Sequence, residues 1–463
     1  MVALHSAEVS PTTREAFPLP VKGPLGVLPQ MRDNPLQLLL SAMRHGDVVR
    51  APLLTTSAYY VFDPELIRLI LVERVARYQK QTRGYHKLKL LLGEGLVTSE
   101  GDFWLRQRRI AQPAFHKERL ASFSEVMVRS AQETAARFEA DAIGGRVVDV
   151  AKEMMRLTLQ VAGITLLSRD LTGEAAEVGR ALSIVLEHFN KLVTAPVPYP
   201  EYLPTLKNLR FHRAIHTLDR VVMDIIEERR QSGERKNDLL SMWMETRDEE
   251  TGEQMNDRQL RDEVMTMFLA GHETTSVALS WTLWLLSQHP EATAKVEAEL
   301  DRVLAGRAPT VQDLRSLVYL DQVFKESLRL MPPVWMLARR PDEDDDLGGF
   351  RIPKGSFVFL SPYAVHRHPR YWSDPERFDP DRFEPSRVAE EKASGRPRFA
   401  YFPFSGGPRQ CIGDNFAKME AVLVLAVLLS RFRFSLAPGH VVEGEPLVTL
   451  RPKGGMPMLV ERR

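Results

Sequence analysis

Apolar positions recur at helical spacing through most of the chain from about Gly101 to Leu330, with breaks at DAIGGR, VTAPVPYPEYLP and RDEETGEQMND. Before that region, DVVRAPL and AYYVFD have the β-branched and aromatic content of short strands, and PELIRLILVER predicts a helix with Pro64 at its start. After RLMPPVW the pattern becomes strand-like in GFRIPKGSFVFLSPY, then Pro-rich and aromatic in HRHPRYWSDPERFDPDRFEP. A loop around Cys411, an apolar helix from about Asn415 to Ser430 and terminal strands complete the sequence. No internal repeat or low-complexity linker divides it. These patterns predict an irregular arm over residues 1–28, which contain several Pro and Gly, and one domain over 29–463, mainly α with a smaller β-rich part.

Composition narrows the partners. The 463 residues, 44% of them hydrophobic, suffice for a sizeable core. With 62 Lys plus Arg against 61 Asp plus Glu, the net charge of +1 gives no reason to expect nucleic acid or a strongly anionic membrane. Two apolar runs, VMTMFLAGHETTSVALSWTLWLL and AVLVLAVLLS, read as buried core helices, because the first is interrupted by Gly271, His272, Glu273, Thr274 and Thr275 and the second is too short to span a bilayer. The N-terminus has no charged start followed by an apolar core, so the expectation is no transmembrane anchor and a cytoplasmic protein. A single cysteine excludes an internal disulfide and any site with several thiolates from one chain, and it fits a reducing compartment.

That cysteine, Cys411, stands in FPFSGGPRQCIGD, a glycine-rich loop directly before an apolar helix. A lone cysteine is ordinarily a small buried hydrophobe. As a metal ligand it must be a thiolate, and a free thiol, with a pKa near ~8.5, needs help to ionise at neutral pH. Backbone N–H groups of a glycine-rich turn and the positive end of the following helix both favour the anion. Arg409 suits an anionic group such as a propionate, Phe404 an apolar cover, and Gly413 the close approach of a flat ligand. Phe404, Gly407, Arg409, Cys411 and Gly413 fit F-x-x-G-x-R-x-C-x-G, and here the sequence resembles the cytochrome P-450 family of haem-thiolate monooxygenases. The resemblance implies haem b (iron protoporphyrin IX) with Cys411 as its axial metal ligand. It also implies the P-450 fold, with haem between a long central helix and the cysteine-loop helix.

Other motifs of the family occur in the expected order. ESLR supplies Glu326 and Arg329, three apart on one helix face. The resemblance implies a structural network completed by an arginine from W-x-x-P-x-x-F-x-P-x-R-F, whose spacing is met by Trp372, Pro375, Phe378, Pro380, Arg382 and Phe383. Arg382 is the choice, with Arg377 in PERF as the alternative. WLRQR sets Trp104 and Arg108 four apart, matching the family's W-x-x-x-R, and the resemblance implies that both side chains contact haem propionate, as does Arg409; Arg339 in MLARRP resembles a further propionate ligand, with Arg340 as the other register. In AGHETT, Ala270 and Gly271 let a ligand lie close to the helix, while Glu273 and Thr274 match the catalytic acid and alcohol pair that the family places beside bound oxygen. A satisfied polar kink is the other reading of such a cluster.

The activity implied is insertion of one oxygen atom of dioxygen into a C–H bond of a medium-to-large apolar substrate, a fatty acid, terpenoid or steroid-like compound. Alternatives sharing the cysteine loop are peroxide-dependent haem-thiolate enzymes, which commonly lack the acid and alcohol pair, and non-catalytic haem gas-binding proteins. Too few residues follow the cysteine-loop helix for a reductase domain, so electrons are expected from a separate ferredoxin or flavodoxin-type protein. Arg106, Arg109, Lys117 and Arg119 form a basic segment for its docking, or a solvated face. By family analogy the substrate pocket takes in Tyr85 to Thr98, Leu186 to Leu203, Ala270, Thr274, Val334, Trp335 and Leu337. The overall texture resembles fatty-acid hydroxylases, yet APLLTTSAYYVFDPE has no arginine to hold a carboxylate, and Arg50 lies just before it.

Overall fold

The computed structural model describes residues 14–463 apart from 22, 24, 55, 171–177, 179, 183, 186 and 189–202. Through its middle runs a central helix of 31 residues, Asp257–Ser287. A capping box fixes its start: Asn256 Oδ1 accepts from the Gln259 N–H, and Gln259 Oε1 accepts from the Asn256 N–H, both at 2.9 Å. Its apolar residues face several directions, so other helices can surround it. Val150–Leu167, Pro290–Leu304, Val318–Leu330 and the cysteine-loop helix Asp414–Leu429 all pack on it, and Ser124–Ile143 packs against the last of these.

The smaller β part has its own core. Six strands lie in the order Phe17–Pro18, Val48–Leu53, Thr56–Val61, Phe357–Leu360, Leu337–Pro341 and Tyr78–Gln79. The hairpin pairs Val49 with Tyr60, and the parallel neighbour pairs Tyr60 with Phe359, so Val48, Tyr60, Val358 and Leu360 bury their side chains in a second apolar cluster. The fifth strand of this sheet carries Arg339, and the short helix Pro35–Met43 packs against the third, Thr56–Val61. The mainly α architecture with a smaller β part is thus present.

Within the segment 1–28 the described residues include a strand: Phe17–Pro18 pairs in parallel with Val49 and Arg50, and Val27 is fully buried. That part of the expected irregular arm belongs to the sheet, because the backbone of Phe17 and Pro18 completes its open edge. Of the pocket segment expected from Leu186 to Leu203, nearly all lies outside the described residues. No described helix is long and apolar enough to cross a membrane.

Candidate active site

The loop before Asp414–Leu429 has a shape that only glycine permits at Gly407. Its φ is +68°, and a Cβ there would stand 2.1 Å from the Leu71 carbonyl oxygen. The chain then turns so that the Cys411 N–H donates to the Phe404 carbonyl at 3.0 Å, and the Gly413 N–H donates to the Cys411 sulfur. The sulfur is enclosed by protein but keeps accessible surface toward an internal cavity of about 340 Å³, which Phe404, Ile412 and Gly413 also line. Burial pushes the Cys411 thiol above its ordinary value, against the pull of the Gly413 N–H and of Arg108. The loop alone therefore leaves a thiol, and a bound cation is what would make it a thiolate.

Cations gather at the same cavity. Arg108, Arg339, Arg409 and Lys80 all reach its wall, and Trp104 lies with them, the Arg409 guanidinium 3.7 Å above its ring centroid. Arg108 donates to the Gln410 carbonyl at 3.0 Å, Arg339 to the Ala338 carbonyl at 2.9 Å, and Arg409 to the Ser99 carbonyl at 2.9 Å. Among the described residues, Glu100, paired with Arg409, is the one carboxylate joined to this group. Burial, and then the neighbouring cations, hold Arg409 down to about 10 and Lys80 well below the ordinary lysine value. Arg340 points elsewhere, donating to the Gly355 carbonyl at 2.8 Å, so Arg339 is the arginine at the cavity. Lys80 had no signal in the sequence: it follows a two-residue strand and meets the arginines only because Tyr78–Gln79 pairs with Arg340–Pro341.

The central helix forms the facing wall. Ala270, Gly271, Thr274, Thr275 and Ala278 line the cavity, and a Cβ built on Gly271 would meet nothing within 4 Å. The Thr274 hydroxyl donates to the Ala270 carbonyl one turn back. Two expectations are corrected on this side. Glu273 does not reach the cavity: its buried carboxylate accepts from Thr449 Oγ1 at 2.7 Å and lies 3.2 Å from Arg451 Nε, because one residue of helix turns the side chain by about 100° away from its neighbour Thr274. Trp335 also turns away, into the sheet core, where its indole N–H donates to the Leu447 carbonyl at 2.9 Å. Val334 and Leu337, on either side of it, do line the cavity.

Beneath the site, Arg329 makes two bonds to Glu326, Nε at 2.7 Å and Nη2 at 2.8 Å, and also donates to the carbonyls of His366, Pro375 and Arg377. Arg382 Nε lies 3.4 Å from Glu326, and all three charged side chains are buried. Arg377 contributes only its backbone carbonyl. The basic segment resolves differently: Arg106 pairs with Glu253, and Arg109 with Asp248 and Glu250, which neutralises half of the four charges. Lys117 and Arg119 remain exposed.

These observations fit haem. Among the described residues a single thiol opens on the cavity, four cations face it with one carboxylate paired to them, and Gly271 leaves room for a flat group that no protein atom takes. Two propionates would supply the missing negative charge, and the iron the missing positive partner of the sulfur.

The family model for cytochrome P450 matches residues 14–457. Cyclooctatin synthase of Streptomyces melanosporofaciens is 39% identical over 435 residues, covering 94% of this chain and 92% of the relative. Pentalenene oxygenase of Streptomyces avermitilis is 37% identical, covering 91% of each. Among solved structures, the crystal structure of the cytochrome P450DA heme domain aligns with a TM-score of 0.87 at 29% identity, over 97% of this chain and 98% of that one.

Proposed function

Because the chain belongs to the cytochrome P450 family, as a haem-dependent monooxygenase of apolar substrates, we propose that it hydroxylates a polycyclic terpenoid skeleton. The bound group is then haem b on Cys411, and the electrons come from a separate ferredoxin or flavodoxin-type protein in the cytoplasm. The observation that carries this reading is the division of one cavity into two chemistries. Its charged groups lie around the thiol, while the wall formed by Leu166, Met267, Ala270, Val334 and Leu337 is apolar. A carboxylate-bearing fatty acid has no cation on that apolar wall among the described residues, and Arg50 is exposed in the sheet, away from the cavity. The relatives named for cyclooctatin and pentalenene act on compounds of the proposed class.

Bound haem supplies the activation of dioxygen, with two electrons and two protons leaving one oxygen as substrate hydroxyl and the other as water. The chain's own residues set the conditions. Cys411 binds the iron, with the Gly413 N–H favouring the anionic sulfur. Arg108, Arg339, Arg409 and Lys80 neutralise the propionates, and Trp104, stacked under Arg409, fixes the position of that guanidinium. Ala270 and Gly271 leave the approach open, and the Thr274 hydroxyl holds a proton at its Oγ1 on the cavity side. Val334, Leu337 and Met267 exclude water and orient the hydrocarbon. Glu273, fastened to Thr449 and Arg451, supports the helix from behind.

The test is titration of haem-loaded protein with polycyclic terpene hydrocarbons, their mono-alcohols and fatty acids, reading the Soret shift, followed by turnover with a ferredoxin and its reductase. Shifts and hydroxylated product with the terpenoids alone are expected. A response confined to fatty acids overturns the substrate class. Product formed from peroxide with no demand for reductant assigns the peroxide-dependent alternative, and absence of product with every oxidant assigns gas binding.

A further inference from the structure

Between the helices Arg83–Leu92 and Gly101–Ala111 the chain makes a tight turn, whose residues Leu96 and Val97 line the cavity together with Thr266 and Met267 of the central helix. Two adjacent carboxylates of that helix hold its backbone. Asp262 Oδ2 accepts from the Glu94 N–H at 2.9 Å, and Glu263 Oε2 accepts from the Leu96 N–H at 3.0 Å. The turn lies so close to the helix that two positions exclude a side chain: a Cβ on Gly93 would stand 2.2 Å from the Asp262 carboxylate, and one on Gly95 2.0 Å from Thr266 Oγ1. Thr98 closes the turn on itself, its hydroxyl donating to the Gly93 carbonyl at 2.7 Å. The other side is tied to the cations, with Lys80 donating to the Val97 carbonyl at 3.1 Å and Arg409 to that of Ser99 at 2.9 Å.

We infer that Asp262 and Glu263 clamp residues 93–98 onto the central helix and thereby fix the width of the substrate pocket at Leu96 and Val97. The inference rests on the haem reading above, which makes this cavity the place where substrate meets the cofactor. Both carboxylates are positioning residues: neither lines the cavity, and they act through the backbone of the turn. A ligand too wide for the pocket has to push the turn outward and break these N–H bonds, so its affinity is lowered by their worth. A ligand that clears Leu96 and Val97 leaves them intact.

The two arms of the clamp differ in charge. Asp262 has a cation, with Arg261 Nη1 2.9 Å from its Oδ1. Glu263 is fully buried, and among the described residues the one charged side chain acting on it is Asp262, a like charge. Burial pushes the Glu263 carboxyl up to about 8, against the pull of the Leu96 N–H and of Gln107, so at pH 7 it is a neutral acid. One of its oxygens accepts from Leu96, and Gln107, 1% exposed, stands beside it. Glutamine at 263 supplies the same acceptor together with a neutral donor, and asparagine at 262 keeps the acceptor without the charge. Alanine at either position supplies nothing, so the substitutions separate the hydrogen bond from the charge.

The experiment takes two readouts on haem-loaded protein at pH 7: amide hydrogen exchange over residues 93–98, and the Soret shift on titration with imidazole and with clotrimazole, an imidazole that carries three aryl rings. Asp262→Ala and Glu263→Ala should each exchange about five-fold faster over the turn and bind clotrimazole about five-fold more tightly, the worth of one net hydrogen bond, with imidazole affinity unchanged. Asp262→Asn and Glu263→Gln should match wild type in both readouts. Gly95→Ala displaces the turn without altering either carboxylate and should behave like the alanine variants at 262 and 263; should Glu263→Ala fail to load haem, Gly95→Ala with Glu263→Gln decides. Unchanged exchange in the displaced variants, equal shifts in affinity for both azoles, clotrimazole affinity unmoved, or a Glu263→Gln that behaves like Glu263→Ala overturns the clamp while leaving the haem reading intact. A wild-type protein without a Soret band overturns both.

Discussion

A hydroxyl that bonds only to its own helix can be removed with little structural consequence, and the Thr274 hydroxyl, bonded to the Ala270 carbonyl, is so placed. Thr274→Ala should therefore retain haem and fold, and change stability by less than about 1 kcal/mol. Its effect belongs to proton delivery at the cavity: reductant should be diverted to hydrogen peroxide at the expense of product, measured by following all three in one reaction. Unchanged coupling would move the role to Thr275 or to water. Glu273 answers differently, since its loss unpairs buried Thr449 and half-buried Arg451. Glu273→Gln should load haem normally but unfold at lower urea, by about 1–3 kcal/mol. At Cys411 the outcome is spectroscopic. Cys411→Ala should lose the red-shifted Soret band of the reduced carbon monoxide complex, and a variant retaining it would remove the sulfur from the iron.

Between elements, the brace of Glu326, Arg329 and Arg382 joins the Val318–Leu330 helix to the turn at Pro380–Phe383. All three are buried, so deleting one leaves an uncompensated charge, and Glu326→Ala should cost roughly 3–5 kcal/mol and yield little haem-loaded protein. Arg382→Ala should be damaging as well. Arg377→Ala removes no side-chain partner of Glu326, because only its carbonyl takes part, and should stay within about 0.5 kcal/mol of wild type by urea denaturation. The order of these two effects tests the register directly. The motif spacing already selected Arg382, since a fixed spacing from Trp372 through Phe383 constrains a short turn closely. Sequence offered no comparable constraint on Glu273, whose direction depends on how far the central helix is rotated against Thr449 and Arg451.

For the molecule as a whole, two buried acids lower stability in mild alkali, and Lys80, held well below the ordinary lysine value by burial, works against them. Burial pushes Glu263 to about 8 and Glu420 to about 8. Each is neutral in the folded chain and ionised in the unfolded chain between the two values, so the unfolded state binds fewer protons there and stability falls as pH rises, levelling off above 8. The slope is at most about 1.4 kcal/mol per pH unit for each group. His272, pushed down to about 4 by burial, works on the other side, costing stability as pH falls below the ordinary histidine value. Urea denaturation at pH 6.5 and 8.5 should show lower stability at the higher pH. Glu263→Gln and Glu420→Gln should each flatten the difference, and a slope unaffected by both would place the titration elsewhere.

What the sequence determined by itself was whatever depends on neighbours along the chain. The cysteine loop, the Glu326 and Arg329 pair, the strands of the hairpin and the helix after Cys411 are local patterns with fixed spacing, and backbone geometry converts spacing into position. What tertiary structure alone decided was which side chains meet across elements. Lys80 joins the arginines through a strand pairing, Trp335 bonds to Leu447 instead of facing substrate, Arg106 and Arg109 are neutralised by acids more than a hundred residues away, and the Leu96 N–H meets Glu263. The physical reason is rotational: a helix of known sequence still has to be turned about its axis, and packing against its neighbours sets that angle.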